Sequence, residues 1–292
     1  MAGARNPQPQ PVPGRTDQPV IRVEGLQAFY GAKQVLHDIE LTVKPGEIMV
    51  IMGGSGSGKS TLLRHLVGLT RPAAGRVELL GLDIARARSL EMLRLRRKIG
   101  VAFQGGALFS SMSVLDNIML PLREHTRLDR KTMEIMARLK LEVVDLAGAD
   151  SLMPSELSGG MLKRAAVARA IVMDPQLLFF DEPSAGLDPV VSSALDDLIL
   201  KLRDALRMTM VVVTHELESA FKIADRITIL DQGRVLLIDD VAAVRKSGNA
   251  RIQNLLNRRS EQTEVDAQSY LQRLTGAAER SPDTRNDEAG AT

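Results

Sequence analysis

The sequence predicts an α/β fold built on a phosphate-loop core, with a helical subdomain inserted between strand-rich parts. Three observations carry that prediction. The apolar strand Ile48 to Met52 runs straight into Gly53-Gly54-Ser55-Gly56-Ser57-Gly58-Lys59-Ser60-Thr61, and a helical pattern follows. A second apolar run, Leu177 to Phe180, ends in the carboxylates Asp181 and Glu182. Between the two, the apolar residues recur at helical rather than alternating spacing.

Taken in order, residues 1–19 are rich in Pro, Gln and Gly with little to bury, the composition of a disordered tail. The main domain is expected over 20–240. From Ile21 short β-type segments alternate with helical ones, and the helix after the glycine loop turns Leu62, Leu63, Leu66 and Val67 to one face. Met133, Met136, Leu139 and Val143 predict a helix from about Leu128 to Ala147. Ser158 has the chemistry of an N-cap for a helix running through Met161, Ala165, Ala168 and Ile171. The helical subdomain is therefore expected at about 105–172. The α/β pattern resumes with a helix through Leu195, Leu198, Leu202 and Leu206 and a strand at Met210 to Thr214. Ile227 to Leu230 and Val235 to Ile238 predict a hairpin around Asp231-Gln232-Gly233. Residues 241–292 read as a polar C-terminal extension, partly disordered, with an amphipathic piece near Val265 to Leu274 that holds Tyr270. No internal repeat is present, so the chain is expected to carry one catalytic unit.

Composition excludes several classes. The chain has no cysteine, which removes disulfides, thiolate catalysis and Cys-ligated zinc. Its four histidines are scattered, which argues against a histidine-built metal centre. A net charge of +2 is too small to make nucleic acid the expected partner. The apolar runs fall far short of the ~20 residues of a membrane span, and the N-terminus lacks the apolar core of a signal peptide. A cytoplasmic location is the expectation.

Three motifs carry chemistry. In Gly53-x4-Gly58-Lys59-Ser60 the glycines let backbone N–H groups turn inward on phosphates, Lys59 reaches the β/γ oxygens, and Ser60 offers a hydroxyl to Mg²⁺. Gly54, Ser55, Gly56, Ser57 and Thr61 complete that nucleotide-binding loop. A strand buried on both faces delivers Asp181 and Glu182 to the sheet edge where ligands collect, Asp181 to hold Mg²⁺ and Glu182 to polarise an attacking water. The third motif, Leu157-Ser158-Gly159-Gly160-Met161, is a capped helix start whose two glycines make it a second anion site. The sensible ligand for it is the γ-phosphate held by another copy of the chain.

The order of Tyr30, GGSGSGKST, Gln104, LSGGM, LLFFDEP, Ser184-x-Gly186-Leu187-Asp188 and His215 resembles the ATP-binding cassette family over about residues 21–240. The resemblance implies an ATPase that uses ATP and Mg²⁺ and dimerises around the nucleotide, and it adds an antiparallel β subdomain to the core. It further implies that Tyr30 stacks on adenine and that Gln104 touches Mg²⁺ and reports to the membrane subunit. Ser158, Gly159, Gly160 and Met161 would close over the partner copy's ATP, Asp188 would link the two sites, and His215 would bond the γ-phosphate. The family signature ends in Gln, whereas Met161 stands here and cannot make that side chain's hydrogen bonds.

That departure is also a clue. LSGGM, with Phe103 to Phe109 and the Pro121-Leu122-Arg123-Glu124-His125-Thr126 run, is similar to the ATPases that serve MCE-type lipid transporters. This implies phospholipid transport between inner and outer membranes from the cytoplasmic face. The implied partners are an integral-membrane MlaE-like permease, an MlaD-like MCE-domain protein and a small MlaB-like STAS-domain regulator, and no nucleic acid. The apolar residues after Gln104, among them Leu108, Phe109, Met112 and Leu120, are expected to be divided between subdomain core and a partner surface. The alternative is the ATPase of an importer for amino acids or another polar solute, against which Met161 and Arg123 to Thr126 weigh. A translation or repair factor of the same family would need two cassettes or a long coiled coil. A module holding ATP only as a structural ligand would not need Glu182 and His215.

Overall fold

The computed structural model describes residues 18–257. The expected N-terminal tail, apart from its last residues, and the amphipathic piece around Tyr270 lie outside the described residues.

The chain opens with β1 (Ile21–Tyr30) and β2 (Lys33–Val43), an antiparallel pair that β4 (Ala74–Leu79) and β5 (Leu82–Asp83) extend in the order β2-β1-β4-β5. This antiparallel sheet closes over helix α1 (Lys59–Leu66), which follows β3 (Ile48–Met52) and the glycine loop. The second sheet takes β10-β9-β3-β8-β7-β6, with β6 (Ile99–Ala102), β7 (Leu177–Asp181), β8 (Thr209–Val213) and β9 (Arg226–Asp231) joining β3 in parallel. Strand β10 (Arg234–Asp240) pairs antiparallel with β9 as the expected hairpin.

Both faces of this sheet are covered, which explains why its strands are continuously apolar rather than alternating. Ile48, Val50 and Met52 pack into one core with Leu178, Phe180, Met210 and Val212. Met49 and Ile51 turn the other way and meet Leu62, Leu63, Leu66, Phe179 and Val213 beneath the antiparallel sheet. Strands β3, β7 and β8 sit where the hydrophobic runs place them.

Helix α2 (Ser89–Arg96) precedes β6, and three helices form the inserted subdomain: α3 (Val114–His125), α4 (Arg130–Val143) and α5 (Gly159–Ile171). Asp129 caps α4 by accepting from Thr132 N at 3.0 Å, so the helix starts just inside the expected range. Asn117, fully buried on α3, accepts from Phe109 N and donates to the carbonyls of Phe109, Met112 and Ser113. It thereby staples the loop that presents Phe109, 51% exposed, at the surface. Val114, Ile118 and Met119 are core.

After β7, α6 (Pro189–Leu206) leads to β8, and α7 (Leu217–Ile223) leads to β9. The packed body continues beyond residue 240, where the sequence places its end. Helices α8 (Val241–Lys246) and α9 (Ala250–Leu256) bury Val244 and Ile252 against the larger core, and Arg245 lies over the Phe221 ring at 4.2 Å. Val241, Leu255 and Leu256 pack against the same core, but each helix is under two turns long, too short for its apolar spacing to stand out in a polar stretch. Among the described residues no helix is long and apolar enough to cross a membrane.

Candidate active site

The glycine loop leaves β3 through a passage that only glycine fits. A Cβ at Gly53 would meet Leu230 O at 2.1 Å, and Gly58 takes φ +103, a conformation side chains resist. Gly58 is the N-cap of α1 and no side chain caps that helix, which leaves its first-turn N–H groups for an anion. Lys59 Nζ donates to Gly53 O at 2.8 Å and Gly54 O at 2.9 Å, drawing the ammonium back across the loop. A Cβ at Gly54 or Gly56 would meet nothing within 4 Å, so both backbones border open space. Ser57 Oγ is buried without a partner among the described residues. A cradle of this shape fits a polyphosphate.

Strand β7 delivers Asp181 and Glu182 beside the end of β8. Glu182 N donates to Val213 O at 2.8 Å, and the residue takes φ +47, a strained conformation of the kind that concentrates at functional sites. His215 follows β8, and its Nδ1 lies 2.9 Å from Glu182 Oε2. A carboxylate only accepts, so this bond makes Nδ1 the protonated ring nitrogen. Burial pushes the Lys59 ammonium down from its usual value, opposed by the charges of Glu182 and Asp181. Burial pushes the Asp181 carboxyl up, with Glu182 adding to the shift and Lys163, Arg64 and Lys59 opposing it. A cavity of about 540 Å³ lies between Gly53, Gly54, Ser55, His215 and Leu255. The fold thus gathers Lys59, Asp181, Glu182 and His215 from three separate segments.

Tyr30 ends β1 with its ring 55% exposed, and its hydroxyl accepts from Arg64 on α1, which sets the ring beside the loop's helix. Ser60 and Thr61 lie in the first turn of α1, and Gln104 follows β6 with an exposed side chain. Ser60, Gln104 and Asp181 offer a hydroxyl, an amide oxygen and a carboxylate. Mg²⁺ takes such hard oxygen donors alongside phosphates and water.

Ser158, Gly159, Gly160 and Met161 do not line this cavity. Ser158 Oγ accepts from Met161 N at 3.3 Å and caps α5, as the sequence predicts. Gly160 is required by packing, since a Cβ there would meet Val191 Cγ1 at 2.6 Å. The Met161 side chain packs against the main core. Asp188 Oδ1 accepts from Val190 N and Val191 N, both at 3.0 Å, and caps α6.

Two residues escape sequence reading. Lys163 donates from α5 to the carbonyls of Gln104 and Glu182, and Arg169 donates to Gly106 O at 2.8 Å and Ala107 O at 2.7 Å. The available signal is that cations, Lys163, Arg164 and Arg169, interrupt a helix whose buried face is otherwise Ala, Val and Ile.

An anion cradle facing an acidic strand end, with a histidine bonded to the second carboxylate, defines a phosphate-loop nucleoside triphosphatase. The ABC transporter family model matches residues 36–185, and the chain belongs to that family as one of its ATPases. The chain is 39% identical to the intermembrane phospholipid transport system ATP-binding protein MlaF of Haemophilus influenzae, over 88% of this chain and 99% of that one. It is also 39% identical to the probable ribonucleotide transport ATP-binding protein mkl of Mycobacterium bovis, over 79% of this chain and 67% of that one. Among solved structures it is similar to the dimeric ATP-binding cassette MJ0796 in a post-hydrolysis state bound to ADP and Pi. That match has a TM-score of 0.70 at 30% identity and covers 76% of this chain and 98% of the other.

Proposed function

We propose that this ATPase powers phospholipid transport between inner and outer membranes as the nucleotide-hydrolysing subunit of an MCE/Mla-type transporter. The observation that carries this reading is the 39% identity to a phospholipid-transport ATPase along 99% of that protein's length. Met161 and the Arg123 to Thr126 run support it.

In this reading two copies sandwich two ATP molecules. Within one copy Tyr30 packs on adenine, the loop from Gly53 to Thr61 holds the phosphates, and Lys59 meets the β/γ oxygens. The other copy supplies Ser158, Gly159 and Gly160 at the N-terminus of α5, where backbone N–H groups and the helix dipole favour the γ-phosphate. Met161 contributes its backbone there and lacks the amide a Gln would supply, while Asp188 links the two sites. Ser60, Gln104 and Asp181 would hold Mg²⁺, which would supply charge neutralisation on the phosphates. Glu182 takes a proton from the attacking water, and His215, its Nδ1–H given to Glu182, donates to the γ-phosphate from Nε2 as a two-donor imidazolium. Positioning and charge stabilisation carry most of the catalysis.

The membrane partner docks away from the nucleotide. A groove of about 350 Å³ lies between the core and the inserted subdomain, lined by Phe103, Leu120, Pro121, Glu124, His125 and Arg169. Arg169 bonds the loop that follows Gln104, so a permease segment seated in the groove reaches the nucleotide-sensing loop through Arg169 and the adjoining Phe103. His125 Nδ1 is buried at this groove without a partner among the described residues, a ready anchor for such a segment. An MlaE-like permease is the occupant proposed, with an MlaD-like MCE-domain protein beyond it and an MlaB-like STAS-domain regulator on the ATPase. The chain then works peripherally at the cytoplasmic face of the inner membrane.

The test is purification of the intact membrane complex in mild detergent, with companions and bound lipid identified by mass spectrometry. A permease with an MCE-domain protein and phospholipid is the expected result. A permease with a solute-binding protein and no MCE component would leave the ATPase intact and make its cargo polar.

A further inference from the structure

Lys163 is buried, with 8% of its surface exposed, in a helix whose other buried residues are Ala, Val and Ile. An ammonium in such a place is costly unless it is hydrogen-bonded. Its Nζ donates to the carbonyl oxygens of Gln104 and of Glu182, the latter at 3.1 Å. These oxygens belong to two different loops, one after β6 and one after β7, and each loop carries a residue placed at the nucleotide. The helix that bears Lys163 begins at Ser158 to Gly160, the segment assigned above to the nucleotide of the second copy.

One side chain therefore joins three segments. Glu182 is held at φ +47, a strained conformation that persists only where neighbours impose it. Its N–H is held by Val213 O and its carbonyl by Lys163. Any shift of α5 against β7 pulls on that carbonyl and turns the peptide from which the Glu182 side chain projects. The loop after Gln104 moves with the same helix, because Arg169 grips Gly106 O and Ala107 O. A Cβ at Gly106 would meet Leu162 Cδ2 at 2.5 Å, so loop and helix are in close contact there. Arg169 secures the loop alone, whereas Lys163 reaches both the loop and Glu182.

We propose that Lys163 is a positioning residue that couples the two nucleotide sites of the dimer. It transmits engagement of α5 on the partner's nucleotide to Gln104 and Glu182 of its own chain. The proposal rests on the ATPase reading and on the two-copy sandwich.

The test uses the full chain in its intact membrane complex and measures ATP hydrolysis against ATP concentration. Wild type is compared with Lys163→Met, which keeps length and loses the donors, and with Lys163→Arg, which keeps charge and donors. Lys163→Met is expected to lower kcat by about 10-fold to 100-fold, the scale of a small misplacement of a catalytic group. The KM for ATP should stay within about threefold, because ground-state binding is untouched. The Hill coefficient for ATP should exceed 1 in wild type and fall to 1 in Lys163→Met, and Lys163→Arg should restore both kcat and the Hill coefficient. A wild-type coefficient of 1 overturns the coupling. A Met variant that turns over at the wild-type rate overturns the proposal, as does a loss of kcat with the Hill coefficient unchanged. If Lys163→Met does not fold, Lys163→Leu, which likewise has no donor, takes its place under the same criteria. A wild-type complex that hydrolyses no ATP would instead defeat the ATPase reading itself.

Discussion

His215 holds the Glu182 carboxylate twice: its Nδ1 lies 2.9 Å from Oε2, and its backbone N–H donates to the same oxygen at 3.3 Å. The histidine ring is 62% exposed and the glutamate side chain only 13%, so the buried acid is aimed by a ring that reaches into open space. Groups that act as one unit lose activity non-additively when removed singly or together. Glu182→Gln should bind ATP and lose about 10²–10⁴ in turnover. His215→Ala, which removes the ring bond and leaves only the backbone one, should fall in the same range, and the double variant should be no slower than the slower single. Steady-state ATPase assays beside nucleotide-binding titrations read this directly. Losses that multiply in the double variant would mean that the two side chains act independently.

A second prediction concerns the helix start at Ser158. Gly160 faces Val191 of α6, where an added Cβ would lie 2.6 Å from Cγ1, whereas at Gly159 the nearest atom, Leu187 Cδ2, is 3.4 Å away. Gly160→Ala must push α5 off α6 or force Val191 from its rotamer, at about 1–3 kcal/mol. Gly159→Ala meets ordinary contact and gains helix propensity, so its stability should match wild type or slightly exceed it. Urea unfolding of the two variants separates these outcomes. Equal destabilisation would show that backbone freedom, not clearance, sets the need for glycine at both positions.

The parts legible in sequence share a physical property: their signal is local. Strand β3 announces itself because both of its faces are buried, and the turn into the glycine loop follows within the same few residues. The Ser158 cap is legible because the hydroxyl and the N–H it receives are three residues apart. Lys163 was not legible, because its acceptors lie 59 and 19 residues away and a lysine on a helix ordinarily reads as a solvated cation. Asn117 hides inside Val114 to Met119 although its partners are close in sequence, because they are the backbone of a loop with no pattern of its own. The pairing of His215 with Glu182 depends on β7 and β8 being neighbours, which sheet topology decides and residue spacing does not.

Asp188 carries a structural role beside the cross-dimer link proposed for it. Its Oδ1 accepts two backbone N–H groups at the start of α6. Asp188→Ala should lose about 0.5–2 kcal/mol of stability, while Asp188→Asn, an equally good cap, should lose almost none. Chemical denaturation of both variants, read beside their ATPase rates, divides the two roles. Reduced turnover in a fully stable Asn variant would assign the loss to the missing charge at the dimer link.

The last prediction follows from a buried acid outside the nucleotide site. Asp196 on α6 is 3% exposed and accepts from Ser219 Oγ on α7 at 2.5 Å, bracing the helix that follows His215 against the helix that Asp188 starts. Burial pushes its carboxyl above the usual value of 3.8, outweighing the Ser219 hydrogen bond and the Lys222 charge, which act the other way. A carboxyl raised in the native state favours folding most when protonated. Its contribution is complete below the unfolded-state value and is lost as pH climbs through the native one. Asp196→Asn keeps an acceptor for Ser219 and never ionises. The variant should therefore match wild type near pH 4, and its relative stability should rise as pH increases from there toward 8, because only wild type must ionise a buried group. Thermal unfolding of both proteins across that range reads the difference. A gap that stays constant with pH would mean that Asp196 titrates alike in the folded and unfolded chains, and that the α6–α7 brace tolerates its charge without cost.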